Sequence, residues 1–192
     1  MSLVKLLILP GLLKERTTIH TNIDDKLLVP EIKAVQDTHI QPLLGSVLFN
    51  KILADISAGT LTGNYLALMD NYIIDCICNY VLSELPETIN YQFWNKGVAT
   101  KTTDNSQSPN MSDMYAIVSK YKTRAEHYAQ ACRLYLVQNH AAMFPEYYAA
   151  GGVDKVSPDG ASYTCPIYLG GRGNDLSNNK PYPNYNEPYP NY

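Results

Sequence analysis

Residues 30–59 read PEIKAVQDTHIQPLLGSVLFNKILADISAG and predict two short helices joined at a tight corner. Apolar residues recur at helical spacing on both sides of the central QPLLGS. Proline lacks an N–H group and fixes φ, so Pro30 suits the first turn of the first helix. Pro42 disfavours helical geometry at Gln41, which predicts that the first helix ends there.

The corner itself is predicted at four residues, Pro42, Leu43, Leu44 and Gly45. Glycine adopts a positive φ without a Cβ clash, so Gly45 can turn the chain. Ser46 is then expected to cap the second helix, and Gly59 to end it. The apolar stripe of this second helix is predicted to contain Leu48, Ile52 and Ile56.

A third helix is predicted after the corner. Thr62 or Asn64 can cap its first turn, and its apolar spacing continues to about Leu85. Pro86 is expected to end it.

The longest helix is predicted near the end of the core. We expect Ser112 to cap it, about His140 to be its end, and Pro145 to stop any continuation. Its predicted inner face comprises Ile117, Tyr121, Ala125, Tyr128, Cys132 and Tyr135 or Leu136.

These elements predict an all-α protein: a small helical bundle of three main helices plus short ones, with a long polar loop and an extended arm. We expect an N-terminal arm over residues 1–24, a helical core over 25–144 and a C-terminal arm over 145–192. Residues 3–9 are expected to form a strand, or an extended arm that packs on a neighbouring protein.

The long loop reads NKGVATKTTDNSQSPN over residues 95–110, and Val98 is its only large apolar residue. A loop of that length inside a compact domain is usually functional or disordered. We therefore predict a partner-binding loop that begins with Trp94, Asn95, Lys96, Gly97 and Val98.

The C-terminal arm is rich in Gly, Pro, Asn, Ser and Tyr, and it repeats PYPNY at residues 181–185 and 188–192. Such a segment cannot bury a core of its own. Tyrosine offers a large contact area at low entropic cost, and proline stiffens the chain toward polyproline II. The arm is therefore predicted to lie on another protein, through Tyr163, Tyr168, Tyr182, Tyr185, Tyr189 and Tyr192.

Composition excludes several classes of protein. A net charge of −3 and a pI near 5.8 argue against a protein that grips nucleic acid by counterion release, although DNA can slide past such a surface. The apolar N-terminus is broken by Pro10 and Gly11, so we expect neither export nor membrane insertion. The four cysteines are expected to be reduced thiols in a cytoplasm.

No catalytic, metal or cofactor site is predicted. Cys76 and Cys78 lie about 200° apart on a helix, so their sulfurs cannot share an ion, and buried packing is expected. The histidines have no partner at ligand spacing, and no serine lies in a nucleophile elbow. Lys120, Lys122 and Arg124 predict a solvated helix face, with a subunit interface or light DNA contact as the alternative. The sequence predicts no enzyme.

Three stretches in this order resemble the head–tail connector (adaptor) proteins of tailed bacteriophages, in particular the neck ring proteins of crAss-like phages. The first is IDDKLLVPEIKAVQDTHIQPLLGSVLFNKIL at residues 23–53, and the second is FWNKGV at 93–98. The third is the helix at 121–144 with its ending NHAAMFPEY. The tyrosine- and proline-rich arm departs from the smaller adaptors.

The resemblance implies a structural virion protein that assembles about twelve copies into a ring below the portal protein. Such a ring extends the channel for double-stranded DNA, without sequence-specific binding, and docks further neck or tail proteins. It implies a location in the virion neck, and in the host cytoplasm during assembly. Two alternatives remain open: a tail-completion or stopper protein, and a non-viral helical module that binds a partner through the arm.

Overall fold

The computed structural model describes residues 4–94, 97–100, 110–148 and 156–158, with the backbone alone for residues 90–100. The chain begins with an extended segment that leads into helix α1 (Pro10–Arg16). Leu7, Ile8 and Leu13 are buried, so this segment, expected to be an arm, contributes to the hydrophobic core.

A buried glutamine fixes the position of the N-terminal segment. Gln36 accepts a hydrogen bond from the Leu7 N–H at 2.8 Å and donates one to the Lys5 carbonyl at 3.2 Å. Its amide thereby satisfies two backbone groups of an extended chain, as a neighbouring strand would.

The helix predicted before the corner is part of one continuous helical stretch, which runs on to Leu44. Helix α2 (Asp25–Val35) passes through a π-helical segment (Gln36–Ile40) into helix α3 (Gln41–Leu44). Asp24 caps α2 by accepting a hydrogen bond from the Lys26 N–H.

Both proline predictions in this region are wrong. Pro30 lies inside α2 instead of its first turn. Pro42 does not end the helix: the Gln41 N–H donates to the Gln36 carbonyl, five residues back, and helical geometry continues to Leu44. The π turn is wider than an α turn and leaves room for the proline ring, so the helix continues through Pro42 with a locally changed geometry.

The chain turns at Gly45, as predicted. Gly45 has φ 74° and ψ 154°, and helix α4 (Ser46–Ala58) follows directly. Ser46 does not cap α4: its hydroxyl is engaged elsewhere and no side-chain cap bond forms. Gly59 ends the helix in the left-handed conformation, with φ 69°.

The third predicted helix is longer than its sequence indicates. Helix α5 (Gly63–Leu68) continues through a second π-helical segment (Met69–Ile73) into helix α6 (Ile74–Asn90). Pro86 was expected to end the helix but lies inside α6. The turn beyond it is held by tertiary contacts, because Thr88 donates a hydrogen bond to the Glu31 carboxylate at 2.8 Å and Ile89 packs against the core.

A short antiparallel hairpin follows α6. Strand β1 (Tyr91–Trp94) pairs with strand β2 (Gly97–Thr100), with Phe93 opposite Val98 and Trp94 opposite Gly97. Residues 97–100 were predicted as part of an unstructured polar loop. The β-branched Val98 and Thr100 favour the extended conformation that they adopt.

Helix α7 (Met111–Met143) has 33 residues and a length of about 50 Å. Asn110, not the predicted Ser112, precedes its first turn, and Ser112 lies within that turn. Ala125, Cys132 and Leu136 face the core as predicted, whereas Ile117 is 45 % exposed and faces away from it. A 3₁₀ turn (Pro145–Tyr148) follows α7.

The hydrophobic core lies between α6, α7 and the helices on either side of the corner. The described residues are mostly helical, which is the fold class that the sequence predicts. Cys76 and Cys78 are buried, as expected. Tyr147, which the sequence assigns to the C-terminal arm, is buried in this core as well. The described residues all belong to one compact unit within residues 1–160.

Candidate functional site

The corner residues are structural. Leu43, Leu44 and Gly45 are buried, and Pro42 is partly buried. The chain after α7 returns to this place: the Ser46 N–H donates to the Val156 carbonyl at 2.9 Å. The corner is therefore covered by the protein itself.

The predicted partner-binding loop is only partly within the described residues. Trp94 ends β1, and Gly97 and Val98 begin β2, so these three residues belong to a paired hairpin. Asn95 and Lys96 connect the strands and lie outside the described residues.

The six tyrosines predicted to bind a partner also lie outside the described residues. They are Tyr163, Tyr168, Tyr182, Tyr185, Tyr189 and Tyr192. Their role in binding a partner therefore stays a prediction.

One groove, which we call the basic groove, lies between α7, α6 and the end of α1 and has a volume of about 580 Å³. Two guanidinium groups, Arg16 and Arg124, line it together with the single carboxylate of Asp75. Arg124 also lies against the face of Tyr121, 5.8 Å from the ring centroid. The lining of the groove also includes His127, and the two guanidinium groups can donate hydrogen bonds to an anionic group.

A second groove, which we call the acidic groove, lies between α2, α6 and α7 and has a volume of about 420 Å³. Three carboxylates line it, Glu31, Glu84 and Glu87, with Lys122 as its single lysine. The His39 imidazole, at the wall of this groove, lies 3.2 Å from the Glu84 carboxylate.

His39 is held in place by an aromatic stack. Its ring lies parallel to that of Tyr80, with the centroids 4.0 Å apart and the planes 6° apart. Burial raises the pKa of Tyr80 to about 12, so its hydroxyl stays protonated at neutral pH. The stack is a fixed wall of the groove.

The buried thiols are unreactive in this structure. Burial raises the pKa of both Cys78 and Cys132 to about 12, and it raises the pKa of Cys76 further. Since the thiolate is the nucleophile and the metal ligand, these side chains behave as small apolar groups at neutral pH. Within the described ranges, no cluster of three or more His, Cys, Asp or Glu side chains is arranged to hold a metal ion.

An aromatic cluster joins α5 to the end of α7. Phe144 contacts the rings of Tyr65 and Tyr135 edge to face, with centroids 5.4 and 5.9 Å apart, and Tyr72 stacks on Tyr135. The Tyr65 hydroxyl donates to the Glu146 carboxylate at 2.7 Å. Burial, together with this hydrogen bond, raises the pKa of Tyr65 to about 12. This cluster was not predicted from the sequence, because Tyr65 and Tyr72 lie on one helical stretch and Tyr135 lies on another, distant in the chain.

The outward face of α7 carries apolar side chains that no described residue covers. Leu134 is 52 % exposed and Val137 is 43 % exposed, and they lie one turn apart, with Ala141 one turn further on. Tyr115 is exposed near the other end of the helix. This second apolar face also has helical spacing, but the interpretation of the sequence assigned the helix a single inner face.

No helix in the described part of the chain is long and apolar enough to cross a membrane. A family model matches residues 40–155; the family is described as one of unknown function, DUF6712. The match covers more than half of the chain and includes the corner, the hairpin, α6 and α7. No curated protein and no solved structure matches the chain.

Proposed function

The chain belongs to DUF6712, a family of unknown function, and we propose that it is a structural virion protein, a head–tail connector that forms a ring below the phage portal. The ring extends the DNA channel and docks the next neck or tail protein. The protein acts through assembly, without catalysis and without a cofactor. It resides in the virion neck, and in the host cytoplasm before assembly.

The observation that carries this proposal is the uncovered apolar face of α7. Leu134, Val137 and Ala141 form one apolar strip on a helix of 33 residues, and we infer that another protein covers it. In an isolated monomer about half of each of Leu134 and Val137 stays in water, so burial of the exposed half would favour association. Side-by-side packing of α7 helices around a ring would bury them.

The resemblance to connector proteins supports the same proposal from the sequence. Two of its three stretches form the corner and α7, and the FWNKGV stretch falls on the hairpin. The corner is a rigid part of the core, so it serves as a scaffold. The hairpin is then the element that extends toward the portal or the next ring.

The charge of the chain suits a DNA channel. A protein with net charge −3 does not hold duplex DNA by counterion release, and DNA must move through a connector without being retained. The proposal therefore requires a lumen whose protein surface makes no strong basic contacts with the DNA that passes through it.

The test is the native mass of the purified protein, measured alone and with the portal protein of the same phage. We expect a closed oligomer of about twelve copies, either in solution or once the portal is present. A protein that stays monomeric and ignores the portal would contradict the proposal. Binding to a different neck component would favour a tail-completion or stopper protein, and capture of a non-viral partner by the arm would favour a helical binding module.

A further inference from the structure

We propose that the basic groove of one copy binds the acidic groove of the next copy, so that the subunits associate head to tail. This inference rests on the proposed ring and adds to the apolar face of α7 a pair of charged surfaces that orient one copy against the next. The occupant of each groove is a second copy of this chain.

The two grooves lie on opposite sides of the α6–α7 pair. On α6 the basic groove is lined by Asp75, Cys78 and Asn79, and the acidic groove by Glu84 and Glu87. At 100° per residue these two sets point about 155° apart around the helix. The lining residues of α7 divide in the same way, with Tyr121, Arg124 and Tyr128 on one side and Val118 and Lys122 on the other.

The charges of the two grooves are complementary. Arg16 and Arg124 are exposed, and in the part of the chain that the structure describes neither forms an ion pair. Two guanidiniums against the one carboxylate of Asp75 leave the basic groove positive. The fork of a guanidinium matches a carboxylate with two parallel hydrogen bonds.

The acidic groove offers the carboxylates that this fork requires. Glu87 is exposed, and Glu84 is open to solvent beside His39. Glu31 is already engaged by Thr88, so Glu84 and Glu87 are the groups available to a neighbour. Lys122 partly offsets them, but three carboxylates outnumber it.

Opposite charges on opposite sides select one mode of association. Because the grooves lie on opposite sides, a two-fold interface contains only one of them and would place it against its own copy, with guanidiniums facing guanidiniums or carboxylates facing carboxylates. A head-to-tail contact satisfies both grooves at once and repeats from copy to copy. Such a heterologous contact closes into a ring when its rotation allows.

The experiment uses two charge-reversed full-length proteins. Arg16→Glu/Arg124→Glu makes both grooves acidic, and Glu84→Lys/Glu87→Lys makes both basic. We expect each protein alone to lose assembly, at least tenfold in the concentration required, under conditions where the parent assembles. A mixture of the two in equal amounts is expected to assemble again, with the two proteins alternating.

Matched controls change the same net charge elsewhere. Lys5→Glu/Lys26→Glu and Glu15→Lys/Asp70→Lys replace exposed side chains outside both grooves and are expected to assemble as the parent does. Circular dichroism and thermal unfolding of every variant confirm that the fold is retained.

The outcomes separate this inference from the proposed function. Rings that form equally well from either reversed protein would overturn the inference and leave the connector function standing. A parent that forms open filaments, disrupted by each reversal and restored by mixing, would support the groove contact and contradict the ring. A parent that never associates, with or without the portal protein, would overturn both.

Discussion

Ser46 and Val156, 110 positions apart in the sequence, are joined by two hydrogen bonds. The Ser46 N–H donates to the Val156 carbonyl at 2.9 Å, and the Val156 N–H donates to the Ser46 hydroxyl at 3.1 Å. Two residues further on, Pro158 lies against Gly45. The chain that follows the long helix is therefore fastened to the corner at residues 156–158.

Gly45→Val is expected to destabilise the fold for two reasons. Its φ of 74° is strained for a β-branched residue, at a cost of about 1–3 kcal/mol. A Cβ at this position would also lie 2.8 Å from the Pro158 Cδ atom, so the returning segment must move. Thermal unfolding measures the loss.

Gly45→Ala and Gly59→Ala compare a crowded glycine with an open one. Gly59 has φ 69° and ψ 23° in the left-handed region, and a Cβ there would meet nothing within 4 Å, so Gly59→Ala carries only the cost of that region. Gly45 has ψ 154°, which is less accessible to alanine, and its Cβ would also meet Pro158. We expect Gly45→Ala to be the more destabilising of the two, and equal melting temperatures would contradict both causes.

Ser46→Ala is expected to loosen the returning segment. The Ser46 hydroxyl is buried and accepts hydrogen bonds from the Val156 N–H and from the Gln41 side-chain amide. Removing it leaves these donors without their partner, which costs about 1–3 kcal/mol. Hydrogen exchange of the Val156 amide should accelerate. Ser57→Ala, an exposed change in the same helix, should leave that exchange rate at the parent value.

The helices were predictable because their apolar spacing is strong, and their ends were not, because proline was given too much weight. Pro30, Pro42 and Pro86 were each expected to start or end a helix, and each lies inside a helical stretch. A single proline costs a helix about 3 kcal/mol, which the burial of two or three neighbouring apolar side chains offsets. Gly45 was predicted correctly because a positive φ is a local constraint that packing does not override.

The two grooves could not be predicted from the sequence. Arg16 and Arg124 are far apart in the chain and meet only because α1 and α7 pack on the same side of α6. Glu31 likewise joins Glu84 and Glu87 through the packing of α2 on α6. The sequence reveals charged residues on helix faces, whereas their grouping depends on which helices are neighbours.

The free energy of unfolding is expected to fall as the pH rises above about 9. Burial raises the pKa of the Cys78 and Cys132 thiols from 9.0 to about 12. Between these values the unfolded chain releases protons that the folded chain retains, so rising pH favours unfolding. Below this window the thiols are protonated in both states, so they contribute nothing to the pH dependence of the free energy of unfolding.

Urea unfolding across this window tests the thiol contribution. Cys132→Ala removes one titrating group, so its unfolding free energy should fall less steeply with pH than that of the parent. Val81→Ala creates a comparable vacancy in the same core without removing a titrating group. It should lower the stability at every pH and keep the parent slope. Equal slopes for Cys132→Ala and the parent would contradict the prediction.

Leu134→Lys/Val137→Lys is expected to impair assembly without unfolding the protein. Both side chains are about half exposed, so a lysine at either position can extend into solvent at a cost below about 1 kcal/mol. In a ring that covers this face, two buried ammonium groups would weaken the subunit contact severely. Native mass measures assembly, and circular dichroism confirms the fold. The control Asn50→Lys/Ser57→Lys makes the same change in net charge at exposed polar residues of α4, away from this face, and it should assemble normally.

Removal of residues 181–192 is expected to leave the helical core intact and to weaken assembly. The deleted segment contains both PYPNY repeats and no apolar pattern of a helix or strand, so it has no means of supporting a core. Its tyrosines are suited to contact with a neighbouring protein at low entropic cost. We therefore expect an unchanged circular dichroism spectrum and melting temperature, with a smaller oligomer in native mass. A full-length variant with Tyr182, Tyr185, Tyr189 and Tyr192 replaced by serine keeps the chain length: if the tyrosine contact area matters, it should assemble as poorly as the deletion. A large loss of helical signal in either protein would instead make the segment part of the fold.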